Sequence, residues 1–165
     1  LLKKYDVLIM SGGVSKGKFD YVPEALERLN VEKLFHRVRQ KPGKPFWFGK
    51  NAENKVVFAL PGNPASSFMC TNRYFLPWLR ASMNLEPFRY RYVALAEDFT
   101  FKANLQYFLQ AKLSYLPSGM ITATPLAGRG SGDLANLVDA DGFLELPAEK
   151  TVFLKGEVYG FIGYR

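Results

Sequence analysis

The chain has 165 residues, of which 48% are hydrophobic and 22% charged, a composition that indicates a globular protein of one ordinary domain or two small ones. The formal net charge of +7 favours an anionic partner, and no apolar run reaches the roughly 18 residues of a membrane-spanning helix. A single cysteine, Cys70, excludes an internal disulfide and indicates a reducing compartment, the cytoplasm, and a single histidine, His36, makes a zinc site unexpected.

The first elements of the sequence predict an α/β arrangement. Residues 5–10 end in an apolar run at 7–10, and they predict a strand buried on both faces of a parallel sheet. After a glycine-rich loop, a helix is predicted over 21–29, because a proline and a glutamate suit its first turn and Leu26 and Leu29 lie on one face.

Further elements of the same kind are predicted up to residue 84. Residues 34–41 can be extended, and 46–48 and 56–60 predict two strands joined by a turn. A long helix is predicted over 64–83, with Phe68, Phe75 and Leu79 on one face. A proline at position 77 is expected to kink that helix or to split it.

From residue 85 onward the pattern changes to short strands separated by Gly, Pro, Ser and Asp. The segments that predict strands are RYRYVALAE, QYFLQAKLSY, MITATPL, GFLELPA and TVFLKGEVYGFIGY. Regular short strands with turn residues between them are typical of a small barrel or sandwich. The sequence therefore predicts an α/β domain over 1–84 and an all-β, barrel-like domain over 85–165.

The loop after the first strand, SGGVSKGKFD, is the first candidate binding segment. Gly12 and Gly13 would let backbone N–H groups turn toward a phosphate, and the hydroxyls of Ser11 and Ser15 could donate to the same oxygens. The segment is neither a Walker loop nor a G-x-G-x-x-G fingerprint, so an ordinary tight turn is the alternative.

Asp20, at the end of this loop, has two possible roles. Its carboxylate could cap the helix that starts near residue 21, or it could hold a divalent cation that bridges phosphates. One carboxylate is too few for a metal site, so the residues alone favour the cap.

Residues 33–50 contain six Lys or Arg residues and no Asp or Glu. If residues 37–41 are extended, Arg37, Arg39 and Lys41 point to one side, because side chains of a strand alternate. The prolines of the following KPGKP segment restrict Lys41 and Lys44 to extended conformations and stiffen the backbone that carries their charges. This stretch predicts an anion-binding surface, and a solvated basic strand is the alternative.

The segment LPGNPASSF places a second strand, glycine loop and helix in succession. Asn63 is a good N-cap, Ser66 lies in the first helical turn, and the N–H groups of that turn can attract an anion. The loop residues Pro61 and Gly62 come at the carboxyl end of a strand, where ligands bind in open α/β sheets. An ordinary capped helix is the alternative.

In the second half, the loop LAGRGSGDLANLVDADGF is polar and rich in glycine. The side chains of Arg129 and Ser131 could reach a ligand from it. A long surface loop explains the same composition.

Together, SGGVSKGKFD, KPGKP and LPGNPASS resemble, in this order and at these separations, the molybdopterin molybdenumtransferases: bacterial MoeA, the gephyrin E domain and their plant counterparts. The resemblance is specific across residues 6–79 and weaker beyond, although KGEVYGF near the end is similar to the last domain of the family. It implies the three-layer α/β fold that the molybdopterin adenylyltransferases share, followed by a small β-barrel.

The resemblance implies an enzyme of molybdenum cofactor biosynthesis. Such enzymes take adenylylated molybdopterin and molybdate, release AMP and leave molybdenum on the dithiolene sulfurs with the help of Mg²⁺. A cytoplasmic homodimer is implied for the full-length protein, with the adenylyltransferase as a possible partner and no role for nucleic acid or a membrane.

The resemblance also implies roles for single residues. Asp20 matches the metal-associated acid of the family, Lys41 matches a functional lysine of KPGKP, and Lys44 belongs to the same motif. Arg37 stands where many members have a lysine, which keeps the charge but replaces a point charge with a planar fork. The segments around Gly12, Lys41 and Gly62 are expected to converge on one electropositive cavity.

Other positions of the resemblance are incomplete. Ser131 matches a serine that faces the cleft, whereas Gln110 stands where arginine is frequent. The chain starts at Leu1, enters a strand almost at once and lacks the N-terminal domains of the family, with their further Mg²⁺-holding acids. We therefore expect the C-terminal portion of such an enzyme, which alone does not turn over.

Three alternatives remain open. A molybdopterin adenylyltransferase would share the glycine loop and the sheet, although an appended barrel and a KPGKP segment are not expected in one. A gephyrin-like binding scaffold would need a groove between the two halves. Nonspecific RNA binding fits the charge, but the aromatic residues lie in strand patterns that indicate a packed core.

Overall fold

The computed structural model describes residues 1–15, 20–87, 91–126 and 134–165. The strands and helices of the first half are β1 (Val7–Ser11), α1 (Val22–Arg28), β2 (Glu32–His36), β3 (Gln40–Lys41), β4 (Trp47–Lys50), β5 (Val56–Leu60), α2 (Pro64–Cys70), a π-helical segment (Thr71–Phe75) and α3 (Leu76–Ser82). Those of the second half are β6 (Arg91–Leu95), β7 (Phe99–Thr100), β8 (Gln106–Tyr115), β9 (Ile121–Pro125), α4 (Ala135–Asp139), β10 (Gly142–Leu146), β11 (Val152–Phe153) and β12 (Val158–Gly163).

The first sheet has the strand order β1-β5-β4-β2, and only β1 and β5 run parallel. The β1 strand forms where the apolar run predicts it, but the prediction that it is buried on both faces of a parallel sheet is wrong. Within the described part of the chain β1 pairs only with β5, so it is an edge strand, and Ile9 is 44% exposed. β4 and β5 are antiparallel because a short turn at 51–55 joins them.

Helix α1 forms close to its predicted limits. Leu26 is buried beneath it, but Leu29 is 62% exposed, because the helix ends at Arg28 and Leu29 lies at its C-cap. Tyr21 occupies the N-cap position without a capping side-chain hydrogen bond, so the prediction that Asp20 caps the helix is wrong.

The long helical stretch contains the irregularity that its proline predicts. Pro77 has no N–H and its ring would collide with the carbonyl of Arg73, and the five residues before α3 form a wider π-helical turn. The two sides of this turn face different neighbours. Phe75 packs against Phe58 with ring centroids 5.4 Å apart, whereas Phe68 packs against Tyr164 at 4.9 Å. The predicted single face is therefore divided between the two halves of the chain.

The second half forms a small closed β-barrel, as predicted. Its strands pair in the circular order β8-β9-β6-β12-β10 and back to β8, with β9 and β6 parallel and the other pairs antiparallel. The buried residues inside it are mainly leucines and phenylalanines, among them Leu95, Leu109, Leu144 and Phe161. A small ladder of β7 with β11 lies beside the barrel.

The prediction that residues 34–41 are one extended segment is wrong. β2 ends at His36, and Arg37 has a φ of +70°, a left-handed conformation that breaks the alternation of side chains. The chain becomes extended again only at β3, which joins the barrel by pairing in parallel with β8, with Lys41 opposite Tyr107. Among the described helices, none has the length and apolar character that crossing a membrane requires.

Candidate functional site

A cavity of about 730 Å³ lies where the ends of β1 and β5 face the loop after β3. Its lining residues come from all three segments that were expected to converge and from one residue of the barrel half: Gly12, Gly13, Val14, Ser15, Asp20, Gln40, Lys41, Pro42, Gly43, Lys44, Pro45, Pro61, Gly62, Asn63, Ser66 and Leu105. The structure therefore brings together three segments, of which the first and the last, at Gly12 and Gly62, lie fifty residues apart in the sequence.

The glycines of the two strand-end loops lie against each other. A Cβ atom added to Gly62 would lie 3.3 Å from the Cα atom of Gly12, a tight contact, and Gly12 has a φ of +93°. The N–H of Gly12 donates to the carbonyl of Leu60 at 3.0 Å, so this group, which was predicted to face a phosphate, is already paired. The close approach of the two loops leaves backbone rather than side chains on this wall of the cavity.

The hydroxyls that were predicted to donate to a ligand have mainly structural partners. Ser11 is absent from the cavity lining, and its Oγ donates to the carbonyl of Pro61 at 3.1 Å. Ser66 is buried, and both its N–H and its hydroxyl donate to Oδ1 of Asn63 at 3.0 Å. These bonds confirm Asn63 as the N-cap of α2 and fix the shape of the wall. Ser15 is exposed and lines the cavity.

The buried side-chain amide of Gln40 supports the KPGKP loop through hydrogen bonds. Gln40 is only 1% exposed, and its Nε2 donates to the carbonyl of Gly43 at 3.2 Å and to Sγ of Cys70 at 3.6 Å. The hydroxyl of Tyr74 donates to its Oε1. Gly43 has a φ of +86°, and a Cβ there would lie 2.8 Å from the Cys70 sulfur, so the loop is closely packed on its support.

The cysteine beneath this loop is part of the core. Burial raises the pKa of the Cys70 thiol to about 12, and the hydrogen bond from Gln40 opposes that shift only in part. The thiol therefore remains protonated near neutral pH, and Cys70 acts as packing rather than as a nucleophile.

The two lysines of KPGKP supply positive charge at the cavity. Lys44 is exposed and Lys41 is half-buried, and neither forms an ion pair with a carboxylate of the described residues. The Nζ atom of Lys41 lies 4.8 Å from the ring centroid of Tyr107 and 5.2 Å from that of Phe101. Among the described residues, two cations thus lie beside the cavity and one carboxylate, that of Asp20, lines it.

Arg37 does not line the cavity. It is exposed, and its backbone N–H donates to the carbonyl of Phe46 at 2.9 Å. Arg39 points elsewhere as well, since its Nε donates to the carbonyl of Asn104 at 3.0 Å and its guanidinium lies 3.8 Å from Glu149. The predicted row of three cations on one side of a strand is therefore wrong, and only Lys41 of that row reaches the cavity.

Of the remaining predicted residues, some line the cavity and others do not. Asp20 lines the cavity, but the described residues contain no group of three or more His, Cys, Asp or Glu side chains that could hold a metal. Gln110 lies within β8 opposite Phe143 and does not line the cavity. Ser131 and Arg129 lie outside the described residues.

The sequence did not single out Gln40, Leu105 or the rings of Phe101 and Tyr107. Gln40 looks like an ordinary polar residue of a basic strand, and nothing local indicates that it is buried. The other three lie more than fifty residues beyond KPGKP, and only the pairing of β3 with β8 brings them to it.

Comparison with known proteins places both halves in one family. Residues 1–81 match the family model described as "Probable molybdopterin binding domain", and residues 92–162 match "MoeA C-terminal region (domain IV)". The chain is 48% identical over 162 residues to a molybdopterin molybdenumtransferase from Synechocystis, covering 98% of this chain and 39% of that protein. It is 33% identical over 164 residues to the molybdopterin molybdenumtransferase of Staphylococcus aureus, covering 98% and 38%.

A solved structure agrees with these matches. The crystal structure of a molybdopterin biosynthesis MoeA protein from Pyrococcus horikoshii superimposes with a TM-score of 0.74 and 28% identity, over 99% of this chain and 38% of that one. The chain thus spans about two fifths of the length of these relatives. The two domain models, which follow one another along the sequence, and the shared fold show that the chain belongs to the MoeA family of molybdopterin molybdenumtransferases.

Proposed function

We propose that the protein containing this chain inserts molybdate into adenylylated molybdopterin and releases AMP. The observation that carries this proposal is the cavity itself, in which two glycine loops and two lysines that lack carboxylate partners among the described residues face one space of about 730 Å³. Such a space suits an anionic ligand of nucleotide or pterin size. The names of the relatives indicate a transfer of molybdenum to molybdopterin, and the adenylylated substrate and the release of AMP rest on the family resemblance.

The residues of the chain would act by charge and shape. Cleavage of a phosphoanhydride builds negative charge on phosphate oxygens, and cations fixed beforehand near those oxygens stabilise the transition state. Lys41 and Lys44 would supply these cations. The glycine wall at Gly12, Gly13 and Gly62 would let the phosphates come close to the backbone, because no Cβ atom stands between them.

Mg²⁺ dependence is part of the proposal. Mg²⁺ in phosphate sites is usually bound by one or two carboxylates together with substrate oxygens and water. Asp20, half-buried in the cavity lining, fits the role of one such ligand, and the described residues offer no complete site. When bound, the ion would neutralise charge on the phosphates.

The wider setting of the enzyme is proposed on the family alone. We expect a cytoplasmic homodimer that receives its adenylylated substrate from the molybdopterin adenylyltransferase. We also expect the 165-residue chain to be inactive by itself, since it spans about two fifths of its relatives and its described residues contribute one carboxylate to the cavity. Arg37 and Ser131 remain predicted contributors to the reaction.

An adenylyltransferase is the less favoured alternative. The barrel half takes part in the candidate site, because β8 pairs with β3 and Leu105 lines the cavity. An enzyme without an appended barrel would lack these contacts. Among the described residues, no contact specifically favours a peptide-binding scaffold.

The central test is Lys41→Ala in the full-length protein. Because one charge-assisted contact is lost, molybdate-dependent insertion is expected to fall by about ten- to a hundredfold. The matched control is Lys33→Ala, which removes an equal charge from an exposed position of β2, outside the cavity lining, and is expected to change the rate less than twofold. Equal rates for Lys41→Ala and the wild type would contradict the proposal.

A further inference from the structure

The barrel half contributes a pair of aromatic rings to the surroundings of Lys41. The rings of Phe101 and Tyr107 pack on each other with centroids 4.4 Å apart and an interplanar angle of 35°. The Nζ atom of Lys41 lies over both rings, 5.2 Å from the first centroid and 4.8 Å from the second. Distances below about 6 Å are those at which an ammonium ion is attracted by the face of an aromatic ring.

Backbone and side-chain bonds hold the two partners in register. Lys41 and Tyr107 are opposite each other in the β3–β8 pair, and the N–H of Gln106 donates to the carbonyl of Arg39 at 3.0 Å. The guanidinium of Arg39 in turn binds Asn104 through both the backbone carbonyl, at 3.0 Å, and Oδ1 of the side chain. The segment that carries both rings is therefore fastened to the strand that carries the lysine.

Among the described residues, the two rings are the partners of the Lys41 ammonium. No carboxylate of the described residues lies within ion-pair distance of Lys41, and burial raises the pKa of Tyr107, so its ring stays uncharged. An ammonium ion held by uncharged rings keeps its full charge for an incoming anion. A carboxylate partner would instead compete with that anion.

We propose that Phe101 and Tyr107 are positioning residues that hold the Lys41 ammonium beside the cavity, ready for an anionic ligand. The flexible lysine stem would otherwise lose rotamer freedom when the ligand binds, and the rings remove part of that cost beforehand. The inference deepens the proposed function and rests on it. The competing explanation is that the two rings merely pack the base of the barrel.

The decisive experiment is a double-mutant cycle in the full-length protein, with kcat/KM for molybdate as the readout. Phe101→Leu is expected to lose about five- to thirtyfold, the range of a cation–π contact that is partly shielded from water. In a Lys41→Ala background the same change is expected to cost less than twofold, because the ring then has no ammonium to hold. A full, additive loss in that background would overturn the inference.

A matched control and a shape-conserving series separate positioning from folding. Phe153→Leu removes a fully buried ring of the barrel core that does not lie over the Lys41 ammonium. It should lower the melting temperature, and any loss of kcat/KM should be the same in the wild-type and the Lys41→Ala backgrounds. Replacing Phe101 by mono-, di- and trifluorophenylalanine weakens the negative ring face while it conserves the shape of the side chain. Stepwise loss of kcat/KM with each fluorine supports the inference, and a flat series contradicts it.

The outcomes also distinguish this inference from the proposed function. If Lys41→Ala retains wild-type kcat/KM, the proposed function fails first, whatever the ring variants do. If Lys41→Ala is impaired while Phe101→Leu and the fluorinated proteins behave as the wild type, the proposed function stands and the positioning role is overturned.

Discussion

Gln40 offers the sharpest test of how the cavity is built, since it is a buried amide with partners on three sides. It supports Gly43 of the KPGKP loop, contacts the Cys70 sulfur and accepts a hydrogen bond from Tyr74. Gln40→Leu conserves much of the volume and removes every one of these bonds. We expect the variant to fold with lower stability and with a looser KPGKP loop.

The expected loss follows from the partners that remain. The carbonyl of Gly43, a buried residue, would lose its donor, which costs about 1–3 kcal/mol. Tyr74 is half-buried and its hydroxyl can turn toward water, so its share is about 0.5–1 kcal/mol. The additional apolar burial of leucine offsets about 1 kcal/mol. The free energy of unfolding should therefore fall by about 0.5–3 kcal/mol.

Urea denaturation followed by tryptophan fluorescence measures this difference. Amide hydrogen exchange at Val38 and Phe46, whose N–H groups donate to the carbonyl of Lys44, reports whether the loop opens more often. The control is Gln106→Leu, at the position that pairs with Gln40 in the β3–β8 ladder but is only half-buried, where a change of less than about 0.5 kcal/mol is expected. If Gln40→Leu changes the free energy of unfolding by less than about 0.5 kcal/mol, the buried amide does not support the loop as argued.

Two further predictions concern a glycine of the cavity wall and the loss of stability at acidic pH. Gly13→Ala should lower the free energy of unfolding by about 1–3 kcal/mol, because φ at this position is +70° and the new Cβ would lie 2.7 Å from Cγ2 of Val22. A thermal melt measures the change, and an unchanged stability would contradict this geometry. Bonds from Lys150, Tyr159 and a backbone N–H lower the pKa of Glu157 from 4.5 to about 2. The stability that this carboxylate contributes is therefore present above its unfolded pKa and is lost as pH falls from about 4.5 to about 2. Glu157→Gln should flatten the melting temperature against pH in that window, and an unchanged acid slope would refute the assignment.

Local patterns in the sequence predicted the elements that local physics determines. The strand at Val56–Leu60 and the helix start at Pro64 follow from an apolar run, an asparagine cap and a proline in the first turn, all within ten residues. The barrel strands follow from alternation and turn residues. The π-helical turn before Pro77 was foreseen as an irregularity because proline cannot continue the hydrogen-bond ladder.

The candidate site was predictable only in part, because its geometry depends on contacts between distant residues. The three segments could be expected to meet at strand ends, but the side on which Arg37 and Arg39 point could not. The left-handed conformation of Arg37 accompanies a backbone bond to Phe46, and Arg39 is drawn to Asn104, 65 positions further along the chain. The alternating pattern of residues 37–41 does not predict either of these contacts.

The barrel also supports the KPGKP loop of the first half. One hydrophobic cluster joins Met69 and Cys70, which support the KPGKP loop, to Phe108 and Phe143 of the barrel. The lysine-bearing strand is at once the base of that loop and a member of the barrel sheet. A change in barrel packing is therefore transmitted to the loop through close-packed side chains, which do not yield independently. The position of Lys41 is consequently a property of both halves together, and the α/β half alone would present the same sequence motif without fixing the ammonium in place.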